Sequence, residues 1–523
     1  MSNLEIQHLT LTLRESGRVL LKDFSLTLFP GDRAVIIGEE GNGKSTLLRA
    51  IAAPESLDGY CEMTGSIRRE ELRIGYLEQE LPSDLYAQSA ASFFAGTDIY
   101  QALTPRLWEL DFDPALLESG QAMGSLSGGE KVKLRLLRLL AAQPDVLLLD
   151  EPTNDLDMEA LEWLEAFLNA LEVPVLYVSH DETLIERTAN LIVHLEQVRK
   201  KTVPRHTVER SGYGEYVRRR LAGLEKQEQV ARKQRADYDR KMERYQQIYN
   251  RVEHEQRTIS KAERDHVGQL LKKKMKAVKS MGRRFEREKE EFLKIPDVED
   301  AISLFFPESV RLPRGKRVVD ACIPRLEAGG RLLAREIRLV VGGGEHIALI
   351  GRNGAGKTTL LRQLWEELRE RADLRAGWMP QNYGEALDER DTPVGFLAPS
   401  GRKEDVTRAF TGLGSLKFTH EEMTQPIGSL SGGQRAKLLL LRLLLDGCNV
   451  LLLDEPTRNL SPLSNPVIRQ ALAAYGGTIL SVTHDRKYIR EVCTAVYELT
   501  ENGLVPRDPL SFGGPAEGHA APR

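Results

Sequence analysis

Gly38-Glu39-Glu40-Gly41-Asn42-Gly43-Lys44-Ser45-Thr46 is the stretch whose reading decides the fold, and it returns as Gly351-Arg352-Asn353-Gly354-Ala355-Gly356-Lys357-Thr358-Thr359. The first copy follows a short apolar run at residues 34–37 and opens residues 45–53, which have the pattern of a helix. In such a strand–loop–helix the glycines let backbone N–H groups wrap phosphates. The lysine brings charge to the β and γ positions, and the following hydroxyl reaches a magnesium ion. One such loop could arise by accident; two in matched surroundings specify a duplicated nucleotide-binding fold.

The surroundings do repeat. Leu126-Ser127-Gly128-Gly129, the pair Asp150-Glu151 and His180 return 304 positions later as Leu430-Ser431-Gly432-Gly433, Asp454-Glu455 and His484. Lys44 and Lys357 stand 313 apart, which reads as divergence in the loops. A Leu-Leu-Leu strand ending in two acids suits phosphoryl transfer. Asp150 and Asp454 would join Ser45 and Thr358 around Mg²⁺, and Glu151 and Glu455 would orient or deprotonate the attacking water. Gln79 and Gln381 would sense that metal and water, and His180 and His484 would hydrogen-bond the terminal phosphate. The expected ATP contacts are Gly38, Asn42, Gly43, Lys44, Ser45 and Thr46 in one copy, and Gly351, Asn353, Gly354, Gly356, Lys357, Thr358 and Thr359 in the other.

With 523 residues, 41% hydrophobic and 29% charged, the chain is long enough for about three packed units. Short apolar strands alternating with helical segments indicate an α/β fold. Residues 1–212 and 297–506 read as the two nucleotide-binding domains, with a strand pattern in the second from about Ser309. Residues 83–125 read as a small helical subdomain, and the tail at 507–523 as disordered. Gln79 to Leu126 takes 47 positions and Gln381 to Leu430 takes 49, so neither copy carries a large insertion there. Cys61, Cys322, Cys448 and Cys493 have no metal-ligand spacing and read as free thiols in a reducing compartment. No secretory signal and no membrane-length apolar run are visible, which predicts a cytoplasmic protein without membrane contact.

Residues 213–296 form the third unit. Between Pro204 and Pro296 there is no proline, and residues 217–294 hold 24 Lys+Arg against 13 Asp+Glu in a chain whose net charge is −4. Tyr238, Met242, Tyr245, Tyr249 and Val252 recur at spacings of 4 and 3, and Leu271, Met275, Val278, Phe285 and Phe292 form an answering stripe. Two antiparallel helices with a coiled-coil-like seam, turning near residues 257–268, follow from that pattern. Arg257, Lys261, Arg264, Lys272, Lys273, Lys274, Lys276 and Lys279 crowd around the turn and the returning helix. They are the expected RNA contacts, acting through phosphate.

The Leu-Ser-Gly-Gly motif between a Gln loop and an Asp-Glu pair resembles the signature of ATP-binding cassette domains. That resemblance covers nearly the whole chain, and implies head-to-tail pairing. Lys44, Ser45, Asp150 and Glu151 would work with Ser431, Gly432 and Gly433, and Lys357, Thr358, Asp454 and Glu455 with Ser127, Gly128 and Gly129. Because both cassettes lie in one chain, no stable homo-oligomer is required. Tandem cassettes around a charged helical linker resemble the ABC-F family, whose members act on the ribosome. In that family the protein binds the tRNA exit site, and the linker reaches toward peptidyl-tRNA and the peptidyl transferase centre. The resemblance implies an ATPase that modulates translation or protects against ribosome-targeting antibiotics, with rRNA and tRNA as partners. Residues 151–157 fit the family pattern, but Ser461 stands where Asp157 does in the first copy, a variant common among resistance-related members. No aromatic residue precedes either loop to stack on adenine; Arg14 and Arg325 are the alternatives. An ATPase subunit of a transporter with separate membrane subunits, or a DNA-repair ATPase, are the competing readings.

Overall fold

The computed structural model describes residues 3–69, 71–82, 85–95, 116, 119–198, 202–258, 267–290 and 310–512. The chain divides into two compact units, residues 1–213 with 299–523, and residues 214–298.

The first unit contains both cassettes. In the first cassette the strands are β1 (Leu4–Leu13), β2 (Val19–Leu28), β3 (Arg33–Ile37), β4 (Cys61–Arg68), β5 (Ile74–Leu77), β6 (Val146–Asp150), β7 (Val175–Val178), β8 (Leu191–Gln197) and β9 (Val203–Glu209). A six-stranded sheet runs β5-β6-β7-β3-β8-β9, parallel except for β8/β9. All five residues of β6 are buried, which is why its sequence is a continuous apolar run and does not alternate. The register sets Ile36 and Asp150 both opposite Val178, so β3, β6 and β7 finish at one edge. The phosphate loop, the acidic pair and His180 leave from that edge, where ligands of parallel sheets are received.

The second cassette repeats the sheet with β10 (Arg317–Ala328), β11 (Arg331–Gly342), β12 (His346–Ile350), β13 (Ala376–Met379), β14 (Val450–Asp454), β15 (Thr478–Val482), β16 (Ala495–Thr500) and β17 (Gly503–Arg507), in the order β13-β14-β15-β12-β16-β17. The accessory sheets differ. In the first cassette β2-β1-β4 has three antiparallel strands, whereas β10-β11 is a two-stranded hairpin. Lys44 to Gln79 takes 35 positions and Lys357 to Gln381 only 24. The offset that read as loop divergence is therefore an added strand, β4, with the turn Pro54–Leu57 before it.

Two boundaries move. The second cassette's first strand starts at Arg317, later than Ser309, because Gly315 and its neighbours form a turn. The expected disordered tail is partly ordered: Arg507 ends β17, Pro509–Ser511 forms a turn, and Phe512 packs on the second cassette's core. Residues 513–523 lie outside the described residues, as do 96–115 of the expected helical subdomain. Its described parts are the helix Ala90–Phe93 and the turn Met123–Ser125.

The second unit is built on α1 (Tyr213–Thr258), 46 residues, and α2 (Val267–Glu290), 24 residues. Val252, Leu271 and Val278 are buried with Tyr245, Tyr249 and Met275 packed around them, and Tyr245 meets Phe285 edge-on at 6.2 Å. Numbers fall along α1 as they rise along α2, so the helices are antiparallel, as the two stripes predict. Most of the turn expected near 257–268 lies outside the described residues, namely 259–266 with Lys261 and Arg264, as does Phe292. Lys272, Lys273, Lys274, Lys276 and Lys279 are all exposed on α2, and Arg257 pairs with Glu253 at 3.0 Å near the end of α1.

Candidate composite nucleotide sites

Each phosphate loop passes from a buried strand into a helix, Lys44–Ala52 or Lys357–Arg369, whose N-cap glycines, Gly43 and Gly356, are left-handed. Thr46 and Thr359 lie in the first turns of these helices. Gly38 has φ 144°, and a Cβ there would lie 2.2 Å from the Leu195 carbonyl oxygen, so this bend admits glycine alone. Glu151 and Glu455 also have left-handed backbones, φ 48° and 53°, a conformation costly for glutamate that turns each carboxylate off the strand end. Ser127 and Ser431 cap the helices Gly128–Ala141 and Gly432–Leu445 through reciprocal capping boxes with Glu130 and Gln434. A Cβ at Gly128 would meet the Asp155 carbonyl at 2.2 Å, so glycine lets the loop after Glu151 lie on the signature helix.

In the first site, Lys44 Nζ donates to the carbonyls of Gly38 and Glu39 at 2.9 and 3.1 Å. Ser45 Oγ donates to Asp150 Oδ1 at 3.0 Å, and Tyr76 Oη reaches the other oxygen at 3.4 Å. Around Glu151 stand His180 Nε2 at 3.3 Å, Gln79 Nε2 at 3.4 Å and Asn154 Nδ2 at 2.9 Å. From the second cassette, the Gly433 N–H donates to Glu40 Oε2 at 2.9 Å. Asn42 points away from this chemistry and donates its amide to the Leu195 carbonyl at 3.1 Å.

The second site surrounds a cavity of about 550 Å³ lined by Gly354, Gly356, Lys357, Thr358, Thr359, Gln381, Asp454, Glu455 and His484, with Gly128 from the first cassette. Lys357 Nζ donates to the carbonyls of Gly351 and Arg352 at 2.7 and 2.9 Å. Asn353 Nδ2 donates to the Asp155 carbonyl of the first cassette at 2.6 Å, and Arg458 pairs with Asp155 at 2.8 Å. His180 Nδ1 lies 2.8 Å from the Leu460 carbonyl. Every one of these contacts crosses between the cassettes except the lysine pair.

The acids differ in charge state. Burial would raise Glu151, but hydrogen bonding and charge from His180, with Lys44 and Asn154, hold it at about 2. Burial and the adjacent Asp454 push Glu455 up to about 8, against Lys357 and Arg458. His484 lies 3.7 Å from Glu455, and burial with the Lys357 charge pushes it down to about 3. Asp454 is 1% exposed and neither of its oxygens has a hydrogen-bond partner. Burial raises it against the pull of Thr358 and Lys357.

A bare buried carboxylate is costly unless something positive satisfies it. One carboxylate with a neighbouring hydroxyl, open toward a cavity of nucleotide size, is the donor set that Mg²⁺ uses when phosphates complete its shell. The residues therefore fit ATP with Mg²⁺. Ala328 and Leu333 line the same cavity, whereas Arg325 is paired with Glu327 at 2.8 Å and Arg14 is exposed. Tyr76, Arg458, Glu39 and Glu40 are site residues that motif reading missed. The available signal was proximity: Tyr76 sits three residues before Gln79, Arg458 three after Glu455, and Glu39 and Glu40 within the phosphate loop.

A family profile described as ABC transporter matches residues 21–154 and 334–458. The chain is 31% identical to the tylosin resistance ATP-binding protein TlrC of Streptomyces fradiae, over 94% of this chain and 96% of that one. It is 29% identical to the energy-dependent translational throttle protein EttA of Escherichia coli (strain K12), over 93% of this chain and 90% of that one. Among solved structures, the archaeal ribosome recycling factor aABCE1 in complex with the stalk protein aP1 is similar in fold, with a TM-score of 0.57 at 17% identity, covering 95% of this chain and 90% of that one. Among the described residues no helix is long and apolar enough to cross a membrane. With two ATP-hydrolysing cassettes in tandem around a helical hairpin, this chain belongs to the ABC-F family of ATP-binding cassette proteins.

Proposed function

We propose that this chain is a ribosome-associated ATPase whose cassettes close on ATP and reopen on hydrolysis, and that closure positions the helical hairpin against RNA. The carrying observation is the set of contacts across the cassettes: Gly433 of one signature helix on Glu40 of the facing phosphate loop, Asn353 of the other loop on Asp155, and His180 on Leu460. In this reading Ser45 with Asp150, and Thr358 with Asp454, would hold Mg²⁺, which would supply positive charge to the phosphates. Lys44 and Lys357 hold the β and γ phosphates. Glu151, ionised, would orient or deprotonate the attacking water; Glu455, raised to about 8, would orient it and could take its proton only after losing its own, while Gln79, Gln381, His180 and His484 would orient that water and the terminal phosphate.

The five exposed lysines of α2 would make salt-sensitive phosphate contacts with rRNA or tRNA. Support for the ribosome comes from relatives named for translation and from a neighbour named as a ribosome recycling factor. The finer reading is binding in the tRNA exit site with the hairpin directed at peptidyl-tRNA and the peptidyl transferase centre. Likeness to a tylosin resistance protein favours antibiotic protection as a second reading. Replacing Glu151 and Glu455 together by Gln is expected to trap the chain on ribosomes in an ATP-dependent way. Equal co-sedimentation with and without ATP overturns the proposal. Reversing Lys272, Lys273, Lys274 and Lys276 to Glu is expected to abolish the ribosomal function while basal ATPase activity persists.

A further inference from the structure

We propose that Glu40, supported by Glu39, is an internal competitor for the terminal phosphate of ATP at the first composite site, so that the two sites differ in nucleotide affinity. This rests on the composite-site reading above. The N–H groups opening Gly432–Leu445 are where a bound anion is stabilised by hydrogen bonds and by the helix dipole. Glu40 Oε2 already accepts the Gly433 N–H at 2.9 Å. Glu39 Oε1 meets Lys437 Nζ at 2.5 Å, one turn along the same helix, and Lys437 is 4% exposed. Two carboxylates on adjacent loop residues thus hold two groups of the facing signature helix, an amide and an ammonium.

The equivalent positions in the other loop are Arg352 and Asn353. Arg352 pairs with Glu159 at 3.1 Å, and the Asn353 amide donates to the Asp155 carbonyl. Neither brings an anion to the facing helix, and Gly128, at that helix's start, lines the cavity. A triphosphate entering the first site must displace Glu40 and approach two like charges. At the second site a carboxylate of the facing cassette, Asp157, accepts the Asn353 N–H at a longer 3.4 Å, and neither Arg352 nor Asn353 carries a negative charge to the facing helix.

The test is equilibrium binding of a fluorescent ATP analogue with Mg²⁺ to the full chain. Lys357→Ala confines binding to the first site and Lys44→Ala to the second. In the Lys357→Ala background, Glu40→Asn is expected to tighten binding about tenfold, the worth of one charge-assisted hydrogen bond no longer competed for, and Glu40→Gln to act in the same direction. In the Lys44→Ala background Glu40→Asn is expected to change affinity by less than about twofold. First-site affinity that is unchanged or weaker on Glu40→Asn overturns the proposal. Ser431→Arg in the Lys357→Ala background tests the underlying reading separately. Lost binding upholds the composite site whatever Glu40 does, and unaltered binding refutes it.

Discussion

In the first cassette Asp150 is held by Ser45 and Tyr76, and Glu151 by His180, Gln79 and Asn154. In the second, Asp454 has no hydrogen-bond partner, Nδ1 of His484 has none, and Glu455 lies 3.7 Å from Nε2 of His484. The motifs are the same, but the neighbours are not. Tyr76 is replaced by Trp378, which has no hydroxyl to offer an acid, and the Glu39-Glu40 pair by Arg352-Asn353. The difference teaches that a repeated motif fixes where the reacting groups stand. Their protonation and their competitors are set by the variable residues within and around it.

The comparison depends on the cassettes facing each other, and the largest effect is expected where they are joined. Arg469 and Arg486 of the second cassette pair with Glu182 and Glu165 of the first, all four buried. Without Arg469 the buried Glu182 keeps, among the described residues, only Lys487 at 3.5 Å, so Arg469→Ala should lower unfolding stability by about 3 kcal/mol in denaturant titrations. Arg469→Met with Glu182→Leu should recover most of that loss, because a packed apolar pair avoids the desolvation cost. Failure of the double variant to recover would mean that the ions set the geometry as well as the energy.

Next in size is turnover. If the second site carries basal hydrolysis, Lys357→Ala should lower the ATPase rate at low ATP about a hundredfold, a loss typical of a missing transition-state donor. Lys44→Ala should lower it about twofold or less. The reverse ranking would invert the comparison. Smaller still, Tyr76→Phe removes one weak hydrogen bond from Asp150 and should cost about 1 kcal/mol of stability.

The smallest effect concerns the turn before β3. Asp32 accepts from Phe29 N and pairs with Arg210 at 2.6 Å, whereas its counterpart Glu345 accepts from Gly342 N. Burial alone would raise Asp32, but Arg210 and the Phe29 amide hold it below its ordinary 3.8. A depressed carboxylate contributes stability above its unfolded pKa, and the contribution is lost as pH falls through the folded value. Arg210→Ala should therefore be slightly less stable than the parent at pH 7, and the gap should close below about pH 4. A gap that widens in acid would contradict the assignment.

The loops, the acidic ends and the α1/α2 seam were legible because each is written in local spacing: eight residues for a phosphate loop, four and three for a helix stripe. Glu40 was not legible, since its partner Gly433 lies 393 positions away and a carboxylate in a phosphate loop has no local meaning. The same holds for Glu165 and Glu182, whose partners Arg486 and Arg469 come from the other cassette. β4 escaped notice because it is scarcely buried on either face: residues 62–66 are all exposed, so no apolar pattern marks a strand.

The central claim is that two closed sites of one design bind ATP unequally. Counting bound ATP per chain across a concentration series, in the Glu151→Gln, Glu455→Gln chain so that hydrolysis does not intervene, tests it most directly. The account predicts one equivalent bound first, at the second site, and another only at roughly tenfold higher ATP. Two equivalents filling together in a single phase would contradict it.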